Sequence, residues 1–164
     1  MNKGVSDVSR CTLALRKTSE FYQDLASNTA QRMLADVEKL APDISSRAAE
    51  IEALRQIPPD LIEALRAIGV FRMFVPRSRG GMELDLASAL EIISALSRID
   101  GSVGWNAMIG SGGGIFAPLL PREIYDRLYE TGPDTIVAGS SQPAGTAEKE
   151  GGRPVVCQRT LALR

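Results

Sequence analysis

Pro58-Pro59-Asp60-Leu61-Ile62-Glu63-Ala64-Leu65-Arg66-Ala67-Ile68-Gly69 is the stretch that decides the fold class. Pro59 suits the first turn of a helix, where a missing N–H breaks no hydrogen bond. Asp60 stands at the positive end of the helix dipole, and Leu61, Leu65 and Ile68 repeat at helical spacing. Gly69 closes the segment with a residue that tolerates a left-handed backbone. An amphipathic helix with one apolar stripe needs other elements to cover it.

Those elements lie on both sides. Met33, Val37 and Leu40 predict a helix from about Asn28 to Leu40, interrupted by Pro42; Ile44, Ala48 and Ile51 predict a second. Val70-Phe71-Arg72-Met73-Phe74-Val75-Pro76 is apolar but too short for a helix of its own, and Gly80-Gly81 reads as a turn. Asp85 can cap a helix that carries Leu86, Leu90 and Ile93 on one face, with Ala89 and Leu96 beside it. Asp100-Gly101-Ser102 breaks the chain and restarts it as a helix through Trp105 and Met108. Pro121 to Glu130 reads as a short helix with Ile124 and Leu128 facing inward, ended by Thr131-Gly132-Pro133-Asp134. Strand character begins only at Thr135-Ile136-Val137-Ala138, and Val155-Val156 can begin one more strand. One or two strands do not make a stable sheet. The chain therefore reads as mostly α, ending in the first strands of an incomplete β domain.

Composition narrows the chemistry. The 164 residues hold 19 basic and 20 acidic side chains, with a pI near 5.6, so there is no electrostatic footprint for nucleic acid. No histidine is present, which excludes Ser-His-Asp and Cys-His nucleophile pairs and every histidine-containing zinc site. Cys11 and Cys157 are too few for a four-cysteine metal site or a disulfide framework. Met1 to Arg16 holds no apolar run of signal-peptide length, and the expectation is a cytoplasmic chain. Gly101 to Pro121 is uncharged and long enough to span a bilayer, yet its glycines, Pro118 and Asn106 favour a buried helix followed by a tight loop.

Three groups of residues invite a functional reading. Gly110-Ser111-Gly112-Gly113-Gly114-Ile115 fails the dinucleotide pattern at Ile115 and lacks the Lys-Ser or Lys-Thr of a phosphate loop, so it reads as a mobile helix–helix connection. Arg72, Arg77 and Arg79 have the geometry to clamp a phosphate or carboxylate; among dispersed acidic residues they read as solvated. Trp105, the one tryptophan, adjoins Asn106, an amide in an uncharged segment. Spacing alone leaves two readings open: a helix-end packing pair, or an amide presented to a planar polar ligand.

Taken in order, Ile57-Pro58-Pro59-Asp60-Leu61-Ile62-Glu63-Ala64-Leu65-Arg66, then Gly69-Val70-Phe71-Arg72, Val75-Pro76 and Gly80-Gly81, resemble the start of the acyl-CoA dehydrogenase superfamily. Ile99-Asp100-Gly101-Ser102-Val103-Gly104-Trp105-Asn106 is similar to one branch, the acyl-CoA dehydrogenase-like flavin-dependent hydroxylases. The resemblance runs from about Met33 to Val156. It implies an N-terminal helical domain, a middle β domain and a C-terminal helical bundle around FAD or FMN, usually in a homotetramer. It also implies reduced flavin from a partner reductase and a small aromatic or acyl substrate. The dehydrogenases carry a Thr-Glu-Pro-x-x-Gly-Ser-Asp-like run along the flavin. Here the matching stretch is Ser141-Gln142-Pro143-Ala144-Gly145-Thr146-Ala147, with Gln142 and Ala147 where the acids belong. That departure favours the hydroxylase branch over acyl-CoA oxidation. By the same resemblance Asn106, Ser140, Gln142 and Trp105 fall at the flavin, while the catalytic base belongs to family regions that this chain does not match. A catalytically inactive helical fragment is the alternative from a different class.

The domain organisation that follows is an unmatched, disordered extension over 1–27, a helical domain over 28–133, the start of a β domain over 134–156, and a non-native tail over 157–164. The tail expectation has a specific basis. Related sequences continue with a run close to Val-Ser-Gly-Arg-Trp-Pro-Tyr-Ala, and one codon choice for Cys157 to Arg164 yields that run when read one nucleotide later. Thr12-Leu13-Ala14-Leu15-Arg16 also recurs as Thr160 to Arg164.

Overall fold

The computed structural model describes residues 27–138, together with the paired backbones of Thr146–Ala147 and Cys157–Gln158. Helix α1 covers 27–46 and buries Met33, Val37 and Ile44. It runs through Pro42 rather than ending there. Pro42 is exposed, so the carbonyl that loses its intrahelical donor can turn to water while Ile44 anchors the last turn in the core. A turn at Arg47 leads into α2 (Ala48–Leu54), where Ile51 is buried and Ala48, expected inward, is exposed.

Helix α3 (Pro59–Ile68) is the segment read first. Leu61 and Leu65 are fully buried, Ile68 packs at the core's edge, and Gly69 stops the helix at φ 95°. A Cβ at Gly69 would run into the Met82 side chain, so both space and backbone require glycine there. The apolar stretch that follows is a single 3₁₀ turn, Val70–Arg72, which drives Val70 and Phe71 into the core. A second 3₁₀ turn, Arg77–Arg79, ends at Gly80, and the chain then folds back on itself. Met82 N–H donates to Arg72 O at 3.0 Å, and Leu84 N–H to Met73 O at 2.8 Å.

Helices α4 (Leu86–Ile99) and α5 (Gly101–Phe116) form the main packing pair, joined by one residue. Asp100 closes α4 through its N–H to Leu96 O at 3.0 Å. Its carboxylate accepts from Ser102 N–H at 2.8 Å and Val103 N–H at 3.0 Å to open α5. Asp85 caps α4 as expected, accepting from Ser88 N–H at 3.0 Å. The buried face of α4 is Ala89, Ile92, Ile93 and Leu96, however, and Leu86 and Leu90 are largely exposed.

The glycine cluster is helical, contrary to the expected mobile connection. Six glycines of α5 (Gly101, Gly104, Gly110, Gly112, Gly113 and Gly114) lie within one continuous helix. Four of them face neighbours that leave no room for a side chain. A Cβ on Gly104 would sit 2.6 Å from Ser97 Cα, one on Gly110 2.8 Å from the Phe71 ring, and one on Gly114 3.0 Å from the Phe74 backbone. One on Gly113 would meet Val137 at 2.8 Å. Tertiary packing has overridden weak helix propensity. The helix and tight loop expected of this uncharged stretch are present, the loop as a 3₁₀ turn (Ala117–Leu119), but the helix is packed on one side only and exposes Trp105, Ile115 and Phe116; no helix among the described residues is long and apolar enough to cross a membrane.

Helix α6 (Arg122–Leu128) turns inward through Tyr125, with Tyr129 beyond its end, in a small cluster with Val75 and Ala117; Ile124 is exposed. Thr135 to Ala138 forms no strand. It lies along the glycine side of α5, with Ile136 and Val137 at Gly110 and Gly113. The described strand pairing is antiparallel, between β1 (Thr146–Ala147) and β2 (Cys157–Gln158), with Thr146 opposite Gln158. Val155-Val156, and the extension expected over 1–27 up to residue 26, lie outside the described residues.

Gly104→Ala will lower stability by about 1–3 kcal/mol, the usual range for overpacking a tight core contact. Gly112, with nothing within 4 Å of its Cβ position, will gain about 0.5–1 kcal/mol as Gly112→Ala. Paired urea melts check both signs. Asp85→Ala will remove about 1 kcal/mol. Hydrogen bonds from Ser88 hold the Asp85 carboxyl below its usual range, so its contribution is complete above the unfolded carboxyl's pKa and is lost as pH falls through the depressed folded value. An acid titration of stability will show a smaller loss in the variant.

Candidate functional site

The register of α5 separates its two sides. Val103, Gly104 and Ala107 are buried, which places Trp105 and Asn106 on the outward side. Trp105 is 62% exposed, unusual for the chain's only tryptophan. Asn106 is exposed too, so burial does not oblige its amide to find a partner, and the helix-end packing reading is not what the structure contains. Its Nδ2 donates to Ser102 O, one turn back, at 2.9 Å. Together with Ile51, Arg55, Gln56 and Ile57 from α2 and the loop after it, the two residues line an open cleft of about 580 Å³. That volume falls among small-molecule sites, roughly 300–1,000 Å³. Ser140 and Gln142 lie outside the described residues.

The three arginines expected to be solvated are engaged. Arg72 Nη1 donates to Asp134 Oδ2 at 2.8 Å, and Arg66 Nη1 donates to Asp134 O at 2.6 Å. The two bonds tie the segment after α6 to the end of α3. Arg79 pairs with Asp126 and lies 5.2 Å from the Tyr125 ring centroid, while Arg77 Nε donates to Met82 O at 3.4 Å. All three serve the fold. Spacing could not show this, because Asp126 and Asp134 are distant in sequence.

Sequence reading also missed Arg47 and Arg55. Arg47 reaches Glu50 at 2.7 Å and pairs with Asp60, joining the α1–α2 turn to the first turn of α3. The hydrogen bond from Arg47 is the largest cause holding the Asp60 and Glu50 carboxyls below their usual range. Arg55 stands left-handed at φ 53° after α2, where glycine or asparagine would have been the signal to look for.

A second concavity, also about 580 Å³, lies on another side of α5 and is almost wholly apolar. Leu86 and Leu90 of α4, Ile109 and Phe116 of α5, Leu120 and Val137 border it. This is where the outward leucines of α4 point. Among the described residues no cluster of acidic or cysteine side chains could hold a metal ion.

Residues 27–122 match the family described as acyl-CoA dehydrogenase, N-terminal domain. The chain belongs to that family. It is 38% identical over 121 residues to an indole-3-acetate monooxygenase of Acinetobacter baumannii, covering 73% of this chain and 31% of that protein. It is 31% identical over 121 residues to the oxygenase component of an FADH2-dependent resorcinol hydroxylase of Rhizobium, covering 74% and 30%. The crystal structure of the HsaA monooxygenase from M. tuberculosis superposes with a TM-score of 0.68 at 30% identity, over 72% of this chain and 31% of that one. The chain thus spans about a third of the length of the relatives it matches. These relatives bear out the hydroxylase branch of the resemblance.

Arg72→Ala will loosen the segment around Asp134 and lower stability by about 1.5–3 kcal/mol, the scale of a hydrogen bond to a charged group. Limited proteolysis cutting first between Gly132 and Ala138 is the check. The apolar concavity will bind a hydrophobic dye, and Leu90→Lys will cut the dye's fluorescence at least by half without lowering the melting temperature, since Leu90 is already 47% exposed.

Proposed function

We propose that this chain is the N-terminal helical portion of the oxygenase component of a two-component flavin-dependent hydroxylase. In this reading its helical domain spans 28–133 and its β domain begins at 134. The observation that carries the proposal is the exposed Trp105–Asn106 pair on a small-molecule cleft, in a chain whose relatives are monooxygenases. The relatives named above act on indole-3-acetate and resorcinol, which supports an aromatic substrate over an acyl-CoA.

The side chains fit one edge of a flavin ring. The Trp105 indole has an exposed face for stacking. Asn106 has spent an N–H on Ser102, and its Oδ1 has no donor among the described residues, so it can accept from a ring N–H. The N-terminus of α5 does not suit the flavin's phosphate, because Asp100 already occupies its free N–H groups. When bound, reduced flavin supplies the oxygen-activating chemistry. The chain's own part is to cover one side of the ring, exclude water there, and fix its orientation through Asn106. Ser140 and Gln142 complete the proposed wall. FAD is favoured over FMN by the FADH2-dependent relative.

The proposal includes a reductase partner, a homotetrameric whole protein, a cytoplasmic setting and weak flavin affinity for this chain alone. Its apolar concavity supports self-association of the chain. Anaerobic titration of the chain with reduced FAD and FMN will quench Trp105 emission saturably. Asn106→Ala will weaken this about fivefold, the value of one hydrogen bond near 1 kcal/mol. Alanine is the better helix former, so a folding defect cannot explain that loss. Absence of quenching, or an unchanged affinity in the variant, would sink the proposal.

A further inference from the structure

A third cleft, of about 590 Å³, opens between the 3₁₀ turn Arg77–Arg79, the 3₁₀ turn Ala117–Leu119 and α6, and shares no lining residue with the Trp105 cleft. Ser78, Arg79, Arg122 and Tyr125 line it with hydrogen-bond donors, and no acidic side chain among the described residues lines it. Asp126, outside the lining, serves two cations at once. It pairs with Arg79, and each of its carboxylate oxygens accepts from Arg122 Nε at 3.2 Å. One carboxylate against two guanidiniums leaves one positive charge over. Arg122 is the less confined of the two: its side chain is 81% exposed, and its terminal nitrogens have no partner among the described residues. Tyr125 supplies an independent observation. It lines the cleft, is only 8% exposed, and its hydroxyl makes no hydrogen bond among the described residues. A buried hydroxyl without a partner carries a cost that phenylalanine would not. The Tyr129 hydroxyl is unpartnered as well, with its ring centroid 5.2 Å from that of Tyr125, but Tyr129 does not line the cleft.

We infer that this cleft binds the phosphate group of a small organic ester. Arg122 exchanges Asp126 for the phosphate, while Arg79 stays paired with Asp126 and holds the wall of the cleft in place. The hydroxyls of Tyr125 and Ser78 donate to the remaining oxygens. A tetrahedral group with three acceptor oxygens serves donors from a 3₁₀ turn and a helix together better than a planar carboxylate does. Pro76, Pro118 and Leu120 complete the lining with apolar surface, which suits an ester over inorganic phosphate. The site stands apart from the flavin wall proposed above, since it uses none of the same residues.

The test is calorimetric titration of the full chain with phenyl phosphate, inorganic phosphate and acetate at one ionic strength. Phenyl phosphate will bind saturably, inorganic phosphate more weakly, and acetate about tenfold more weakly than phenyl phosphate. Arg122→Gln will weaken phenyl phosphate about tenfold, as loss of one hydrogen bond to a charged group requires. Its exposed pair with Asp126 contributes little to the fold, so the melting temperature will hold. Tyr125→Phe will weaken phenyl phosphate about fivefold without lowering the melting temperature, because the hydroxyl removed had no partner. Tyr129→Phe removes an equally buried hydroxyl outside the lining and will leave the affinity unchanged. Acetate binding as tightly as phenyl phosphate would reveal a cationic surface only and overturn the inference. Unchanged affinity in Arg122→Gln or in Tyr125→Phe overturns it as well, as does equal weakening by Tyr129→Phe. Inorganic phosphate binding as tightly as phenyl phosphate overturns the choice of an ester.

Discussion

Helix α5 lies where it does because hydrogen atoms stand where other helices carry side chains. Gly104 admits the backbone of α4 at Ser97, Gly110 admits the Phe71 ring, and Gly114 admits the chain at Phe74. Phe71 in turn is fixed by the left-handed Gly69 that ends α3, and Asp100 holds α4 and α5 together with a single carboxylate. Push α5 outward by one methyl group and these contacts open together. The outward register of Trp105 and Asn106 depends on the same approach, since their position is set by which side of α5 is pressed against α4.

Much of this was legible in the sequence. The Pro59–Gly69 helix, its Leu61–Leu65 stripe, the Asp85 cap and the restart at Asp100 depend on residues close in sequence, and local rules describe them correctly. The failures have a common cause. Pro42, the glycine run and Thr135–Ala138 were read by intrinsic preference, and in each case a neighbour distant in sequence decided the outcome. Ile136 and Val137 are β-branched and suited to a strand, yet the nearest apolar surface is the bare side of α5, and they lie on it.

The candidate site was half legible for a related reason. Trp105 and Asn106 stand out by type and by position in an uncharged segment. Arg55 does not, because an exposed arginine after a helix resembles many others until its backbone angle and its neighbours across the cleft are known. Conversely Arg72 and Arg79 attracted attention as charges and proved to be ties between helices, with Asp134 and Asp126 supplied from beyond the next helix. Charge identifies candidates; only the partner in space separates a clamp from a strut.

The glycine content of α5 also sets the order in which the fold can assemble. Six glycines in one helix disfavour it by about 6 kcal/mol relative to alanine, so α5 has no standing as an independent helix. α3, closed by Gly69, and α4, opened by the Asp85 cap, have ordinary propensities and can flicker into place locally. α5 must wait for Phe71 and Ser97 to form the surface that receives it. It is the late, templated element of the domain, formed and lost with the tertiary structure rather than ahead of it. A surface carried on such a helix exists only in the finished molecule. An emerging or partly unfolded chain therefore offers a ligand none of the cleft.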